Sequence, residues 1–470
     1  QNYAVSNVFQ KTGFFPGAHG IPDVSRLEDD GDSRNIELPY SKVNHLKVTT
    51  HQQYVWEKFI LSGDMGYQNN HREEWSAFHT HYGSQPLPQT NPDKELGFNL
   101  NTFSFSAIGR LIGSSFWEYR MGWDSQFQRN TISGYSFLLP EYERFTTGVS
   151  WLTTYRPDNV LAVSGGIRYD YGRIYVFAHD DPYLATYLQE QGYSDEQVES
   201  YRWNSRRVNR SFGDYSLSLG VVWTPSVLHQ LKVNIGRSFR LPGANELASN
   251  GVHYGTFRHE QGDATLSSEQ GWQMDASYQL KYGRLSLYVS PFVNWFSNYI
   301  FLRPTGEWSV LPHTGQIYRY TQTEALFAGT EAGAEVRISS AFSYRISGEY
   351  VYTYNCDEHI PLSFSPPATL HNTLTWQKKR YMLYAEWQNI ARQNRVDRNE
   401  DRTPGTNLFH IGGSLDLPVA GNKVEITLTV RNILNTRYYN HLSFYRKVEI
   451  PEPGRNFQLL IKVPFKKRFK

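Results

Sequence analysis

The sequence has few of the features that cross-link a chain or anchor it in a membrane by a helix, namely cysteines and long apolar segments. Cys356 is the only cysteine among 470 residues, which excludes an internal disulfide framework, a cysteine-rich zinc site and an iron–sulfur site. No stretch approaches the roughly 18 uninterrupted apolar residues that a membrane-spanning helix needs, so helical membrane proteins are excluded. An excess of one charge is also missing, since 47 Lys and Arg face 45 Asp and Glu, and we expect no nucleic-acid partner.

Signatures of catalysis are missing as well. The chain has no glycine-rich phosphate loop after a strand, no G-x-S-x-G elbow and no zinc-protease helix motif. Acidic residues are plentiful, but no pair of them stands out as a catalytic dyad. We therefore expect a protein that is not an enzyme.

Aromatic residues, in contrast, are abundant. The chain has 33 Tyr, 27 Phe and 12 Trp but four Met, which argues against a helical bundle. A chain that is polar on average and rich in aromatic residues is typical of a transmembrane β-barrel, because polar lumen-facing side chains alternate with lipid-facing ones. A soluble β-propeller or β-solenoid is the rival interpretation.

Alternation with a period of two supports the barrel. Tyr215, Leu219 and Trp223 share one face of a predicted strand, while Ser216 and Ser218 share the other. Similar runs of about 9–11 residues recur along the chain, which is the length a tilted strand needs to cross a bilayer. The sequence therefore predicts an all-β, antiparallel transmembrane β-barrel.

Short and long connections also alternate. Counting from Val43, we predict about seventeen strands, with a turn at His51 to Glu57 between the first two. An odd number cannot close an all-antiparallel barrel, so either residues 1–9 form an eighteenth strand or further strands precede the sequence. The six predicted long connections are 173–210, 241–270, 303–328, 355–369, 393–407 and 436–454. Long loops on one side are where ligands would be met.

Two motifs flank the second of these loops. They resemble the FRAP and NPNL boxes of TonB-dependent outer-membrane receptors, especially the branch that handles haem and metal ions. The residues that carry the resemblance are Phe239, Arg240, Pro242, Asn245, Glu246, Leu247, Gly262, Asp263 and Leu266. Leu241 stands where the first box usually has alanine, and Gly-Asp-Ala-Thr-Leu replaces Asn-Pro-Asn-Leu in the second.

Further segments resemble the same family in the same order. They include 14–22 near the start, the strand and loop start at 290–300, the proline-rich loop at 361–367 and the penultimate strand at 430–435. The ending at 450–457 is similar to that of receptors from Bacteroidetes. The resemblance implies a barrel of 22 strands with a plug domain. It thus implies that residues 1–470 are the C-terminal part of such a barrel, without the plug and some four or five early strands.

The resemblance also implies a function. A receptor of this family would bind haem, a metal ion such as zinc, iron or copper, or a metal chelate at its extracellular loops and lumen, with no permanent cofactor. Import would be energised by the TonB–ExbB–ExbD complex through the plug, and a surface lipoprotein or haemophore could deliver the ligand. A passive outer-membrane pore of 16–18 strands and a ferric-siderophore receptor are the alternatives.

The candidate ligand site lies between the two boxes, where haem receptors of the family place an axial histidine. By position, the resemblance assigns that role to His253 or His259, with Tyr254 beside them. Imidazole binds haem iron, zinc and copper, and Glu260 could complete a metal site with the two histidines. His19 in an early loop could supply a second ligand. The alternative interpretation is that these side chains only form hydrogen bonds within a loop.

Overall fold

The computed structural model describes residues 38–78, 82, 85–312, 314–419 and 422–464. The strands in these residues are β1 (Tyr40–Val55), β2 (Phe59–Trp75), β3 (Lys94–Ile112), β4 (Trp117–Ser133), β5 (Tyr142–Tyr155), β6 (Leu161–Val176), β7 (His179–Asp180), β8 (Trp203–Ser205), β9 (Val208–Ser226), β10 (His229–Arg240), β11 (Asn250–His253), β12 (Arg258–Gln261), β13 (Glu269–Tyr282), β14 (Leu285–Trp308), β15 (Gln316–Arg337), β16 (Phe342–Asn355), β17 (Thr369–Lys378), β18 (Tyr381–Ile390), β19 (Thr406–Val419), β20 (Asn422–Arg431) and β21 (Asn456–Lys462). The helices are α1 (Pro182–Glu190), α2 (Asp195–Arg202) and α3 (Ala244–Ala248).

The long strands form one antiparallel meander. Each strand from β1 to β21 pairs with the next long strand along the chain, and only β7, β8, β11 and β12 lie inside loops. The remaining seventeen strands confirm the predicted barrel fold and its strand count. Within the described residues, β1 pairs only with β2 and β21 only with β20. The segment considered as an eighteenth strand lies outside these residues.

The two faces of the wall differ as the alternation predicts. Tyr215, Leu219 and Trp223 on β9 are 44%, 50% and 48% exposed, and similarly exposed apolar side chains recur on the same face of the neighbouring strands. Soluble proteins rarely expose so large an apolar surface, whereas a lipid-facing barrel wall does. None of the helices in the described residues is long and apolar enough to cross a membrane.

The opposite face of the wall is polar. On β6, Arg168 alternates with outward-facing rings and binds Asp124 at 2.7 Å and Asp170 at 2.5 Å. Each charge therefore has a partner on a neighbouring position of the same face. Such a network is typical of a lumen wall, where side chains remain hydrated.

The connections alternate between two-to-five-residue turns at one end and longer loops at the other, as predicted. Two predicted boundaries are wrong. Strand β1 continues to Val55, so the first turn is shorter than 51–57. Most of the predicted loop 303–328 is strand, because β14 and β15 extend for 24 and 22 residues and leave only 309–315 as the connection.

The long loops fold into a compact layer. Helix α1 begins at Asp181, whose carboxylate accepts hydrogen bonds from the backbone N–H groups of Tyr183 and Leu184, and α2 begins with a capping box at Ser194. Their apolar faces form one cluster with a neighbouring loop and the hairpin β11–β12. The buried members of this cluster are Tyr82, Leu184, Leu188, Val198, Val252 and Leu311. The candidate site is therefore built into packed loops rather than isolated ones.

Candidate functional site

The first box closes the base of the loop between β10 and β13. Arg240, the last residue of β10, donates to both carboxylate oxygens of Glu246 at 2.9 and 2.8 Å and to both of Glu269 at 3.4 and 3.1 Å. Glu246 also accepts the backbone N–H of Gly243 at 2.7 Å, and Glu269 accepts that of Ile300 at 2.9 Å. We call Arg240, Glu246 and Glu269 the clasp, because together they join both ends of the loop.

The second box packs against the first. At Gly262 an added Cβ would lie 2.6–2.8 Å from backbone atoms of Asn245, Glu246 and Ala248, so only glycine permits this approach. The N–H of Asp263 donates to the carbonyl of Glu246 at 2.7 Å. Three of the other box residues are buried here: Leu247 and Leu266 share an apolar cluster, and Pro242 is fully buried. The side chain of Asn245 donates to the Tyr320 hydroxyl at 2.9 Å, and Phe239 pairs with Gln270 on β13. The boxes thus hold the loop in place.

The clasped loop carries a small hairpin made of β11 and β12. Its second strand, β12, pairs in parallel with the start of β15, from Arg258 opposite Gln316 to Gln261 opposite Arg319. The side chain of Asn250 donates to the carbonyls of Ser200 at 3.0 Å and Trp203 at 2.9 Å, so the end of α2 rests on this hairpin. The hairpin is held on both sides.

His259 is fully buried in this hairpin, and both of its ring nitrogens are occupied. Nε2 lies 2.8 Å from the carbonyl oxygen of the Asn250 side chain, to which it donates, and Nδ1 lies 2.9 Å from the Ser309 hydroxyl. Burial lowers the pKa of His259 to about 4, so the imidazole is neutral. The contacts give His259 a structural role in this conformation.

His253 differs from His259 because one of its ring nitrogens has no hydrogen-bond partner among the described residues. Nδ1 of His253 is buried and has no hydrogen-bond partner in the described residues. Burial, and then the positive charge of Arg258 opposite it on β12, lower the pKa of His253. A neutral imidazole is the form that coordinates a metal, so His253 suits the predicted role of ligand.

The other predicted ligands lie apart from His253 or are engaged. Glu260 is buried, is bound by Arg258 and accepts the Tyr320 hydroxyl at 3.3 Å, while Tyr254 packs against the cluster beneath α1 and α2. His19 lies outside the described residues. Across 38–464, apart from the positions left undescribed, no three His, Cys, Asp or Glu side chains converge as metal ligands would.

Sequence reasoning missed the neighbours of the hairpin. The guanidinium of Arg258 lies 3.9 Å from the ring centroid of Phe444, and the ammonium of Lys447 lies 5.1 Å from that of Tyr318. Phe444 and Lys447 belong to a 3-10 turn, Phe444–Val448, in the last long loop. They are almost 200 residues from His253, and no local signal in the sequence could have joined them.

Comparison with known proteins identifies the architecture. A family model described as TonB dependent receptor-like, beta-barrel matches residues 3–433. The chain belongs to this family of β-barrels. The match confirms the resemblance that the boxes carry. Members of this family are outer-membrane transport receptors rather than enzymes, and their transport depends on TonB.

Solved structures of such receptors share the fold at low sequence identity. The copper transporter OprC aligns with a TM-score of 0.68 and 17% identity over 89% of this chain and 65% of its own. The FrpB iron transporter from Neisseria meningitidis, F3-3 variant, gives 0.62 and 14% over 90% and 63%. A double mutant of the Serratia marcescens hemophore receptor HasR, in complex with its hemophore HasA and heme, gives 0.61 and 16% over 89% and 65%. The chain thus spans 63–65% of the length of these receptors, which is less than two thirds.

Proposed function

We propose that the protein is an outer-membrane receptor that binds haem at the β11–β12 hairpin for energised import. The observation that carries this proposal is His253, a part-buried imidazole whose buried Nδ1 has no hydrogen-bond partner among the described residues, in a loop that the clasp holds in place. Haem iron accepts a single histidine as an axial ligand, so one free imidazole suffices to anchor it.

The surroundings of His253 also suit haem. Arg258 and Lys447 supply positive charge near the hairpin, and Tyr318, Phe364 and Phe444 form an aromatic cluster with ring centroids 4.8–6.2 Å apart. A porphyrin has an apolar, planar face and two carboxylates. Rings and cations near the hairpin are therefore suited to such a ligand.

A metal ion is the second candidate ligand, as in the copper transporter of similar fold. A site for zinc, iron or copper built from His253, His259 and Glu260 would need His259 to release Ser309 and Asn250. Glu260 would also have to release Arg258. Leaving a buried polar group without its hydrogen-bond partner costs free energy, so we favour haem over a bare ion.

Transport itself would follow the pattern of the family. We propose that the TonB–ExbB–ExbD complex energises import, and that a haemophore or surface lipoprotein delivers the ligand to the loop layer. The similarity in fold to HasR, which was solved with its hemophore, supports the second part. A ferric siderophore would use the same rings and Arg258 and is the remaining alternative.

A titration in detergent tests the ligand. His253→Ala should weaken haem binding at least tenfold and shift the haem absorption spectrum, because the axial imidazole is lost. His51→Ala at the short-turn end, where the ring binds Asp64 at 2.8 Å, is the matched control and should bind as the native chain does. Both variants should keep the heat-modifiable migration of a folded barrel. Unchanged affinity in His253→Ala would remove the hairpin from the site, and tighter binding of Cu²⁺ or Zn²⁺ than of haem would favour the metal.

A further inference from the structure

Lys447 is a cation with hydrogen-bonding capacity left over. Its Nζ donates to the side-chain carbonyl of Gln316 on β15 at 2.6 Å and lies over the ring of Tyr318. An ammonium group has three N–H donors, and the described residues offer this one acceptor. Gln316 uses one donor and the Tyr318 ring lies on one side of the ammonium, so donor capacity remains for a ligand.

The charge of Lys447 is also incompletely balanced. Burial lowers the pKa of Lys447 in spite of the attraction of Asp401 and Glu400. No ion pair of 4.0 Å or less joins Lys447 to a carboxylate of the described residues, and Glu400 is already bound by Arg446 at 2.9 Å. A part-buried ammonium without a bound carboxylate is unfavourable, so an anion from outside the chain would stabilise it.

A polar group with no hydrogen-bond partner belongs to Tyr318, whose ring lies against the same turn. The hydroxyl of Tyr318 is buried and has no hydrogen-bond partner in the part of the chain that the structure describes, while the residue as a whole is 1% exposed. Buried hydroxyls in folded proteins are nearly always bonded, so an unpaired one indicates that a group beyond the described residues completes its bonding. A hydroxyl that has only an anion to bind would donate to it.

We propose that Lys447 and the Tyr318 hydroxyl form a subsite for a carboxylate of the imported ligand. The proposal rests on the haem function above and names the groups that hold a propionate while His253 holds the iron. The subsite belongs to the same neighbourhood as the hairpin, because Arg258 lies opposite His253 and also stacks on Phe444, three residues before Lys447.

Access to the hydroxyl requires a local movement. Phe444 and Lys447 cover the ring of Tyr318 with centroid distances of 5.7 and 5.1 Å. Because the hydroxyl is buried, a carboxylate can reach it only if a neighbouring group moves, and we expect the turn Phe444–Val448 to shift. Binding at this subsite and a shift of the last long loop are then one event.

Paired ligands separate this subsite from the iron site. The full chain in detergent is titrated with haemin and with haemin dimethyl ester, in which both propionates are neutral. The native chain should bind haemin about tenfold more tightly than the ester. Lys447→Met should weaken haemin about tenfold and leave the ester unchanged, and Tyr318→Phe should give a smaller loss with the same selectivity. Lys281→Met, near the short-turn end of β13, is the control and should change neither affinity.

Each outcome decides the proposal. Native affinity for haemin in Lys447→Met would overturn it, and so would an equal loss for both ligands, which would mean that the turn only supports the loop. If His253→Ala loses both ligands while Lys447→Met loses haemin alone, the two roles are separate as proposed. If the native chain binds neither ligand, the haem function fails and the carboxylate subsite fails with it.

Discussion

Replacing Arg240 by methionine should open the clasped loop while the barrel stays folded. Methionine keeps most of the side chain's volume but removes its contacts with Glu246 and Glu269, whose side chains are only 13% and 12% exposed. Breaking a buried ion pair costs about 3–5 kcal/mol. Arg240 is itself 42% exposed and partly screened by water, so we reduce the cost to about 2 kcal/mol, or roughly a thirtyfold larger open population.

Hydrogen exchange detected by mass spectrometry measures this opening. The informative amides are Gly262 and Asp263, which donate to the carbonyls of Ser249 and Glu246 across the loop base. Their exchange should accelerate roughly thirtyfold, in line with the 2 kcal/mol, while amides of the barrel wall remain protected. Arg345→Met is the control, because that arginine pairs with Glu335 on the wall but is 65% exposed. Exchange at the loop base within threefold of the native rate would refute the clasp.

Three further changes probe the same loop. Gly262→Ala should destabilise it by about 1–3 kcal/mol through the backbone overlap at Cβ, seen as faster proteolysis of the loop; native protease resistance would contradict this. Acid should destabilise the hairpin, because His259 in the unfolded loop binds a proton below about pH 6.5, whereas in the folded loop it stays neutral down to about pH 4. Between these two values the free energy of loop opening, measured by proteolysis, should fall by roughly 1.4 kcal/mol per pH unit. His259→Gln should flatten this slope. Haem affinity should stay level above pH 6.5 and fall only below it, since the pKa of His253 is lowered; titrations at stepped pH that show a rise on acidification would argue against an imidazole ligand.

Most of the barrel could be predicted because its strands face two different solvents. Lipid on one face and water on the other force alternation, as in Tyr215, Leu219 and Trp223 of β9. The prediction of a loop at 303–328 was wrong because this alternation is missing there. There β14 and β15 continue beyond the alternating stretch, and Thr305, Gly306 and a proline, Pro304, read as a loop. In that hairpin the backbones of β14 and β15 stay paired although the side chains do not alternate between apolar and polar.

The candidate site was only partly predictable. The resemblance to the two boxes singled out Arg240 and Gly262, and the structure shows that Arg240 belongs to the clasp and Gly262 to the close backbone approach. Sequence cannot distinguish an imidazole whose nitrogens are occupied, such as His259, from one with a free nitrogen, such as His253. That difference depends on Ser309 and on other residues brought from distant loops.

The parallel pairing of β12 with β15 has a consequence for the order of folding. The two partners are 58 residues apart in the chain, and β13 and β14 lie between them. Contacts of such large sequence separation form late, because the chain must first close a long loop. The hairpin that carries His253 can therefore pair with β15 only after β15 has paired with β14. The loop layer around the hairpin would be completed in a later kinetic phase than this part of the wall.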